Sequence, residues 1–459
     1  MPMSADELCG LTIQAVGSAY RGRSLSPVEV TRAVLARIER LNPRLNAYIT
    51  VTAETALAQA QKAEHDFMQG VDQGALQGVP LSLKDLYWTA GVRTTAASRI
   101  LRDFIPTEDA EVVQRLRKAG AVLLGKTNMK EFAYGQVHPD YGPALNPWNE
   151  AHTSGGSSSG SGSALAAGLG YGSMGSDTGG SLRNPASYCG IVALKPTYGL
   201  VSCHGMIPLS WSLDHAGPMT RTVCDNALLL AAVAGHDPKD PASAVSAPSD
   251  YVSGIDKGVR GIRIGTLTSY TDGLAAPAVQ AAVVRAAAVL REAGASVTEV
   301  SLPELATVNA TFTAIIRPEA SAAHAQWLHS RGPDYHPVIR DHLEAGARLP
   351  AVDYIQAQRH RQSLREAVER VLRAVDVLLL PTTATTAPPE TGVTDLSVTT
   401  RLTAMFNLTG CPALSLPCGL DPAGLPIGLQ IVGRPFAESM VYRVAAAFES
   451  VAGFEPLKP

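Results

Sequence analysis

The sequence predicts an α/β protein with helices packed on a sheet, and three observations carry that expectation. Short apolar runs alternate with helical stretches, as over 79–83, 110–119 and 121–125, a rhythm that stacks helices on a sheet. The chain has 459 residues, of which 46 % are hydrophobic, enough to bury a large core. No unit of about 20 to 50 residues repeats along it, which argues against a solenoid.

Taken in order, residues 4–66 read as helices. Ser26, Pro27 and Glu29 make a helix start, with serine at the cap, proline at the first helical position and an acid in the first turn. Val30, Val34, Leu35 and Ile38 recur at helical spacing, and Asn42-Pro43 is expected to end that helix. The Ala-rich stretch 52–67 is helical again. The strand at 79–83 runs into Lys84 and Asp85, and the helix at 110–119 leads through Gly120 into the strand at 121–125. Beyond the Gly/Ser-rich residues 153–181 come a helix at 223–234, a Pro/Ser/Asp-rich loop at 235–258, a strand at 262–267, a helix at 276–293 and a strand at 295–300. Residues 305–372 are mostly helical, interrupted at Gly332-Pro333 and Leu349-Pro350. A buried strand at 375–380, a threonine-rich loop at 381–389, strands at 413–416 and 428–432 and a helix at 438–451 follow.

Composition narrows the function classes. A formal charge of −3 with 17 % charged residues leaves no basic footprint for nucleic acid. The six cysteines include no C-x-x-C and read as reduced, packed thiols. No apolar run reaches membrane-spanning length, and residues 1–8 lack the basic and apolar regions of a signal peptide. The expectation is a cytoplasmic enzyme with no nucleic-acid or membrane partner.

Residues 153–181 carry the chemistry. Glycine and serine at such density suit a backbone that takes unusual conformations or points N–H groups at an anion, not an ordinary helix or strand. Two hydroxyl-bearing clusters, 155–160 and 177–181, flank a short helix-forming run at 164–167. Three chemistries fit the letters. Residues 170–175 match G-x-G-x-x-G, but an Ala-rich helix precedes them and Lys195 stands near the position where dinucleotide sites place an acid. Residues 156–160 match G-x-S-x-G with Ser158 central, yet the residues before them make a poor strand for a nucleophile elbow. The third is a serine–serine–lysine system. Lys84, directly after an apolar strand, is either a surface partner of Asp85 or Asp103, or a desolvated lysine able to act as a base.

The ordered set G-G-S-S-S-G-S, then G-S-D-T-G-G-S-L-R-N-P-A-S-Y-C-G-I-V-A-L-K-P-T, resembles the amidase signature family. T-N-M-K-E-F-A-Y-G, N-P-W, S-L-D-H-A-G-P-M-T-R-T and G-L-P-I-G-L-Q-I-V-G support it. The resemblance implies a single α/β/α domain over 1–459 with a mixed central sheet covered by helices on both faces. Within it lie an N-terminal helical segment (about 1–70), the signature core (about 78–235) and a C-terminal part (about 259–459) that completes the sheet and pocket. It implies Ser181 as the acyl-enzyme nucleophile, Ser157 as a bridging serine on a cis peptide bond, and Lys84 as the buried base. The N–H groups of Thr178, Gly179, Gly180 and Ser181 match the oxyanion hole, and Asp177 and Arg183 an ion pair bracing the loop. Ser159 stands where the family commonly has glycine.

The resemblance also implies an amide, carbamate (urethane) or ester as substrate, with no cofactor and no metal. The family includes the catalytic chain of tRNA-dependent amidotransferases, which works with partner chains. Residues 136–143 and 316–324 depart from that chain's usual motifs, so a free-standing amidase, monomeric or homodimeric, is favoured. Tyr134, Ser158, Arg317 and Thr382 are the expected substrate contacts, on segments that include the 312–320 helix, the 382–386 loop and 401–406. Arg317 and Arg401 being the main charges among those segments, a small neutral or aryl substrate is expected.

Overall fold

The apolar strands align into one mixed sheet of eleven strands in a computed structural model that describes residues 3–245, 249–390 and 395–453. Residues 246–248 of the loop expected over 235–258 lie outside the described residues. The strands are β1 (Tyr48–Val51), β2 (Pro80–Lys84), β3 (Val122–Thr127), β4 (Gly172–Asp177), β5 (Val192–Lys195), β6 (His215–Thr220), β7 (Arg263–Thr266), β8 (Ser296–Glu299), β9 (Val377–Pro381), β10 (Ala413–Leu420) and β11 (Pro426–Gly433). Their order is β1-β3-β2-β4-β6-β5-β10-β11-β9-β7-β8. β2 runs parallel to both β3 and β4, and β7 parallel to both β8 and β9, while the remaining pairs are antiparallel.

The central strands β2, β3, β4, β6 and β11 are buried along their whole length. Helices pack against the sheet, among them Arg183–Cys189 on β10 and β11, Val223–Val233 on β6, and Pro277–Glu292 and Glu438–Ala452 over β9 to β11. Of three further helices, Val308–Arg331 packs on both Pro337–Ala347 and Ala351–Ala374, and it reaches the site.

Three sequence expectations need correction. The helix begun at Pro27 does not stop at Asn42-Pro43 but runs to Leu45. Pro43 falls in its last turn, and Asn46 closes it in the left-handed conformation (φ 51°), its N–H donating to Asn42 O. The all-helical reading of 4–66 misses β1. The stretch 153–181, expected to form no ordinary strand, contains β4 at the middle of the sheet. There glycine serves closeness. A Cβ on Gly175 would stand 2.7 Å from Leu182 Cδ2 and 2.9 Å from Ser158 Oγ, and one on Gly172 3.0 Å from Leu81 Cδ2.

Candidate active site

Lys84 ends β2, and its side chain is wholly buried. Its Nζ donates to Ser157 Oγ at 2.7 Å and to Ser176 Oγ at 2.8 Å. Neither surface partner considered for it is used. Asp85 pairs with a second buried lysine, Lys126, at 3.2 Å, and Asp103 pairs with Arg102. Among the described residues no carboxylate stands within 4.0 Å of Lys84 Nζ. Burial therefore dominates and lowers the Lys84 pKa to about 7, against the opposing charges of Asp177 and Asp214.

Ser157 follows a cis peptide bond from Gly156 and is 2 % exposed. Ser158 turns the other way. Its Oγ donates to Ser176 O (3.2 Å) and accepts from Ser176 N–H (3.3 Å), while its own N–H donates to Ser181 O (3.3 Å). Ser158 is thus fully buried scaffold that ties the 155–160 loop to β4, and the expected substrate contact is corrected. With the central serine of G-x-S-x-G facing away from solvent, an elbow nucleophile at Ser158 is excluded on geometry.

Ser181 lies between β4 and helix 183–189 and lines a cavity of about 250 Å3. Its loop is pinned from below by Asp177. Arg183 grips that carboxylate with Nε (3.0 Å) and Nη2 (2.9 Å), and Asn407 Nδ2 adds a third donor (2.8 Å). Both members of the ion pair have no exposure, and against the burial that would raise it, Arg183 and Asn407, with the charge of Lys195, hold the Asp177 pKa far below the ordinary carboxylate range. Removing one partner from such a pair strands the other charge, so Arg183→Met is expected to destabilise the protein by about 3–5 kcal/mol. A thermal melt of the variant measures this.

Asp177 also changes the oxyanion assignment. The Gly180 N–H donates to Asp177 Oδ1 at 2.7 Å and is not available to a substrate oxygen. Among the described residues no acceptor engages the N–H of Thr178, Gly179 or Ser181. Gly180 sits at φ 138°, where a Cβ would meet Thr403 Oγ1 at 2.4 Å, so its glycine is required by backbone and space together. Thr178 is fixed through Oγ1, which donates to Asp214 Oδ1 at 2.6 Å. No hydrogen bond links Ser157 Oγ to Ser181 Oγ among the described residues. Catalytic hydrogen bonds commonly close only around substrate.

The cavity wall is largely apolar, with Tyr134, Leu209, Phe312, Ile316, Pro388, Pro389 and Val398 facing it. Tyr134 is there as expected, its ring 5.4 Å from that of His342. Thr382 is not: its hydroxyl is buried against Ser415 Oγ at 2.8 Å, and Thr385 from the same loop reaches the cavity. Arg317 and Arg401 do not line it. The charged groups on the wall are Lys130, Glu390 and Asp395, which sequence reasoning did not single out. Ser176 was missed too, because a strand through Gly/Ser was not anticipated. Asp214 had no signal beyond its motif. The buried Cys189 fits its reading as a packed thiol, its pKa pushed up by burial.

Comparison with known proteins fits this geometry. The chain is 40 % identical to a Glutamyl-tRNA(Gln) amidotransferase chain, that enzyme's A component, from a Geobacter species, over 96 % of this chain and 97 % of that protein. It is 41 % identical to a Mycobacterium tuberculosis protein named as an amidase, AmiD, over 100 % of this chain and 97 % of that protein. The native peptide amidase of Stenotrophomonas maltophilia superposes with a TM-score of 0.84 at 31 % identity, covering 97 % of this chain and 98 % of that one. The family model described as Amidase matches residues 29–442. The chain therefore belongs to the amidase signature family and is an enzyme that hydrolyses carbon–nitrogen amide bonds.

Proposed function

We propose that amides are cleaved through an acyl-enzyme on Ser181, with Ser157 as proton bridge and neutral Lys84 as base. One observation carries this reading: Lys84 Nζ, buried and without a carboxylate in contact among the described residues, stands 2.7 Å from Ser157 Oγ. A serine hydroxyl is a weak nucleophile until a base takes its proton. A lysine brought to about 7 by burial is such a base near neutral pH. Ser181 Oγ bonds to the carbonyl carbon as its proton passes to Ser157 and the Ser157 proton passes to Lys84. The oxygen charge of the tetrahedral intermediate meets the N–H groups of Gly179 and Ser181, with Thr178 N–H beside them. Collapse breaks the C–N bond, and the proton returns from Lys84 through Ser157 to the leaving nitrogen. Water then hydrolyses the Ser181 ester by the same relay, releasing the acid and restoring the serine.

The apolar wall around Phe312, Ile316, Leu209 and Tyr134 supports a small neutral or aryl acyl group. Lys130 and Glu390 modify that preference, since they stand on one wall, where burial lowers the Lys130 pKa and the Glu390 charge opposes that shift. Carbamates and esters pass through the same tetrahedral geometry and are further candidate substrates. We favour a free-standing enzyme, on the departures at 136–143 and 316–324 from the amidotransferase motifs. The 40 % identity to an amidotransferase chain supports the second reading, a catalytic component that needs partner chains. The purified chain alone, assayed on a panel of anilides, primary amides, carbamates and esters, separates the two. Turnover of an amide by the isolated chain supports the first; turnover only after a partner chain is added supports the second.

A further inference from the structure

Asp214 precedes β6 and is 5 % exposed. Its Oδ1 accepts from Thr178 Oγ1 (2.6 Å), and its Oδ2 accepts from the N–H groups of Leu209 (2.9 Å) and Ser210 (3.0 Å). Among the described residues no lysine, arginine or histidine lies within ion-pair distance. Buried carboxylates are ordinarily paired with a cation, so this one needs an account. The sheet register supplies a neighbour. Ser176 of β4 pairs with Ala216 of β6 and Asp177 with His215. Asp214 thus stands beside Thr178, two residues along from Ser176, whose hydroxyl meets Lys84 Nζ.

Among the described residues no carboxylate is in contact with Lys84 Nζ. Ser157 and Ser176 are its neutral contacts, and the other nearby carboxylate, Asp177, is already claimed by Arg183. When Lys84 takes the proton, an ammonium forms in a dry site, and desolvated charge is costly without an opposite one. We infer that Asp214 is a positioning residue whose unpaired carboxylate is the counter-charge for the Lys84 ammonium formed during acylation, while it holds Thr178 in place. The inference rests on Lys84 being the base. The other groups around Asp214 are Tyr87, Tyr198, Cys203 and, through Ser210 Oγ, Glu319, and His204, Lys239 and Asp240 line the cavity beside it. Neither His204 nor Lys239 is within ion-pair distance of its carboxylate. Burial raises the Asp214 pKa to about 6, opposed by its three donors, so the carboxylate is charged over the range in which Lys84 is neutral.

The test measures inactivation of the purified full-length protein by a fluorophosphonate as a function of pH. Asp214→Asn keeps an acceptor for Leu209 and Ser210 and turns an amide toward Thr178 Oγ1. Losing the negative charge makes the ammonium harder to form, so the acid limb of the rate profile shifts to lower pH by about half a unit or more, and the plateau rate falls about 10- to 100-fold. Damage that let water into the site would move the limb upward instead. Asp214 also lines a second cavity of about 380 Å3 with Tyr198, Cys203 and Trp211, which gives a small anion access. In Asp214→Gly, added sodium formate is expected to restore the plateau rate and return the limb toward the parent position, whereas sodium chloride is not. An unmoved or rising limb in Asp214→Asn, no formate rescue, or insolubility of both variants overturns the inference, since the side chain would then serve the fold alone. Lys84→Ala run in parallel separates the two levels. If it keeps the parent rate, the base assignment has failed; if it is slow while Asp214→Asn leaves the limb unmoved, only the role of Asp214 has.

Discussion

Ser181→Ala is expected to reduce amide turnover by about 10^4-fold or more, the scale on which removal of an attacking hydroxyl acts in other serine hydrolases. Substrate binding should change little, because the cavity wall that Tyr134, Phe312 and Ile316 form is untouched. The fold should hold as well. Ser181 contributes a backbone acceptor to Ser158 N–H, which alanine keeps, and the Asp177–Arg183 pair beneath the loop does not involve its side chain. Steady-state kinetics with a chromogenic anilide, together with a melt of the variant, gives both numbers. Ser158→Ala is the paired control. Among the described residues its hydroxyl bonds only to the Ser176 backbone, so its loss should cost stability far more than chemistry.

Removal of the base is the second large effect. Lys84→Ala is expected to lower kcat/KM by about 10^2- to 10^4-fold, the range for a positioned general base. The parent enzyme should show an acid limb near pH 7, and the sign follows from the protonation states. Above a pKa of about 7 Lys84 is neutral and can accept a proton; below it, the ammonium cannot, and activity falls as the pH drops. In Lys84→Ala this limb should disappear from the residual activity. A limb that persists unchanged would assign it to another group, such as buried Glu131 or Lys195, each of which burial also brings to about 7.

The amide chemistry is legible in the sequence through a family resemblance that local motifs carry. D-T-G-G-S places Ser181 four residues after the Asp177 that anchors its loop, whereas Lys84, at the end of an apolar strand, reads by itself either as a surface partner of Asp85 or Asp103 or as a buried base. What the sequence hid depends on tertiary packing. Ser176 touches Lys84 only because β4 lies beside β2, and β4 is a strand whose glycines reflect close neighbours, not turns. Gly180 looked like an oxyanion donor from its position, but its N–H is spent on Asp177, a detail that backbone geometry decides. The cavity wall was the least readable part. Thr382 and Thr385 are indistinguishable in a threonine-rich run, and only the end of β9 sends one into the sheet and the other to the cavity. Lys130 lies far along the chain from Glu390 and Asp395, and no spacing rule joins them.

The central claim is that the attacking oxygen belongs to Ser181 and draws on Lys84 through Ser157. Fluorophosphonate labelling followed by peptide mass mapping tests it most directly. The account predicts a single phosphonylated residue, Ser181, with labelling slowed in Lys84→Ala and Ser157→Ala and faster above pH 7 than below it. Label on Ser157 or Ser158, or labelling of Ser181 at the parent rate without Lys84, would contradict it.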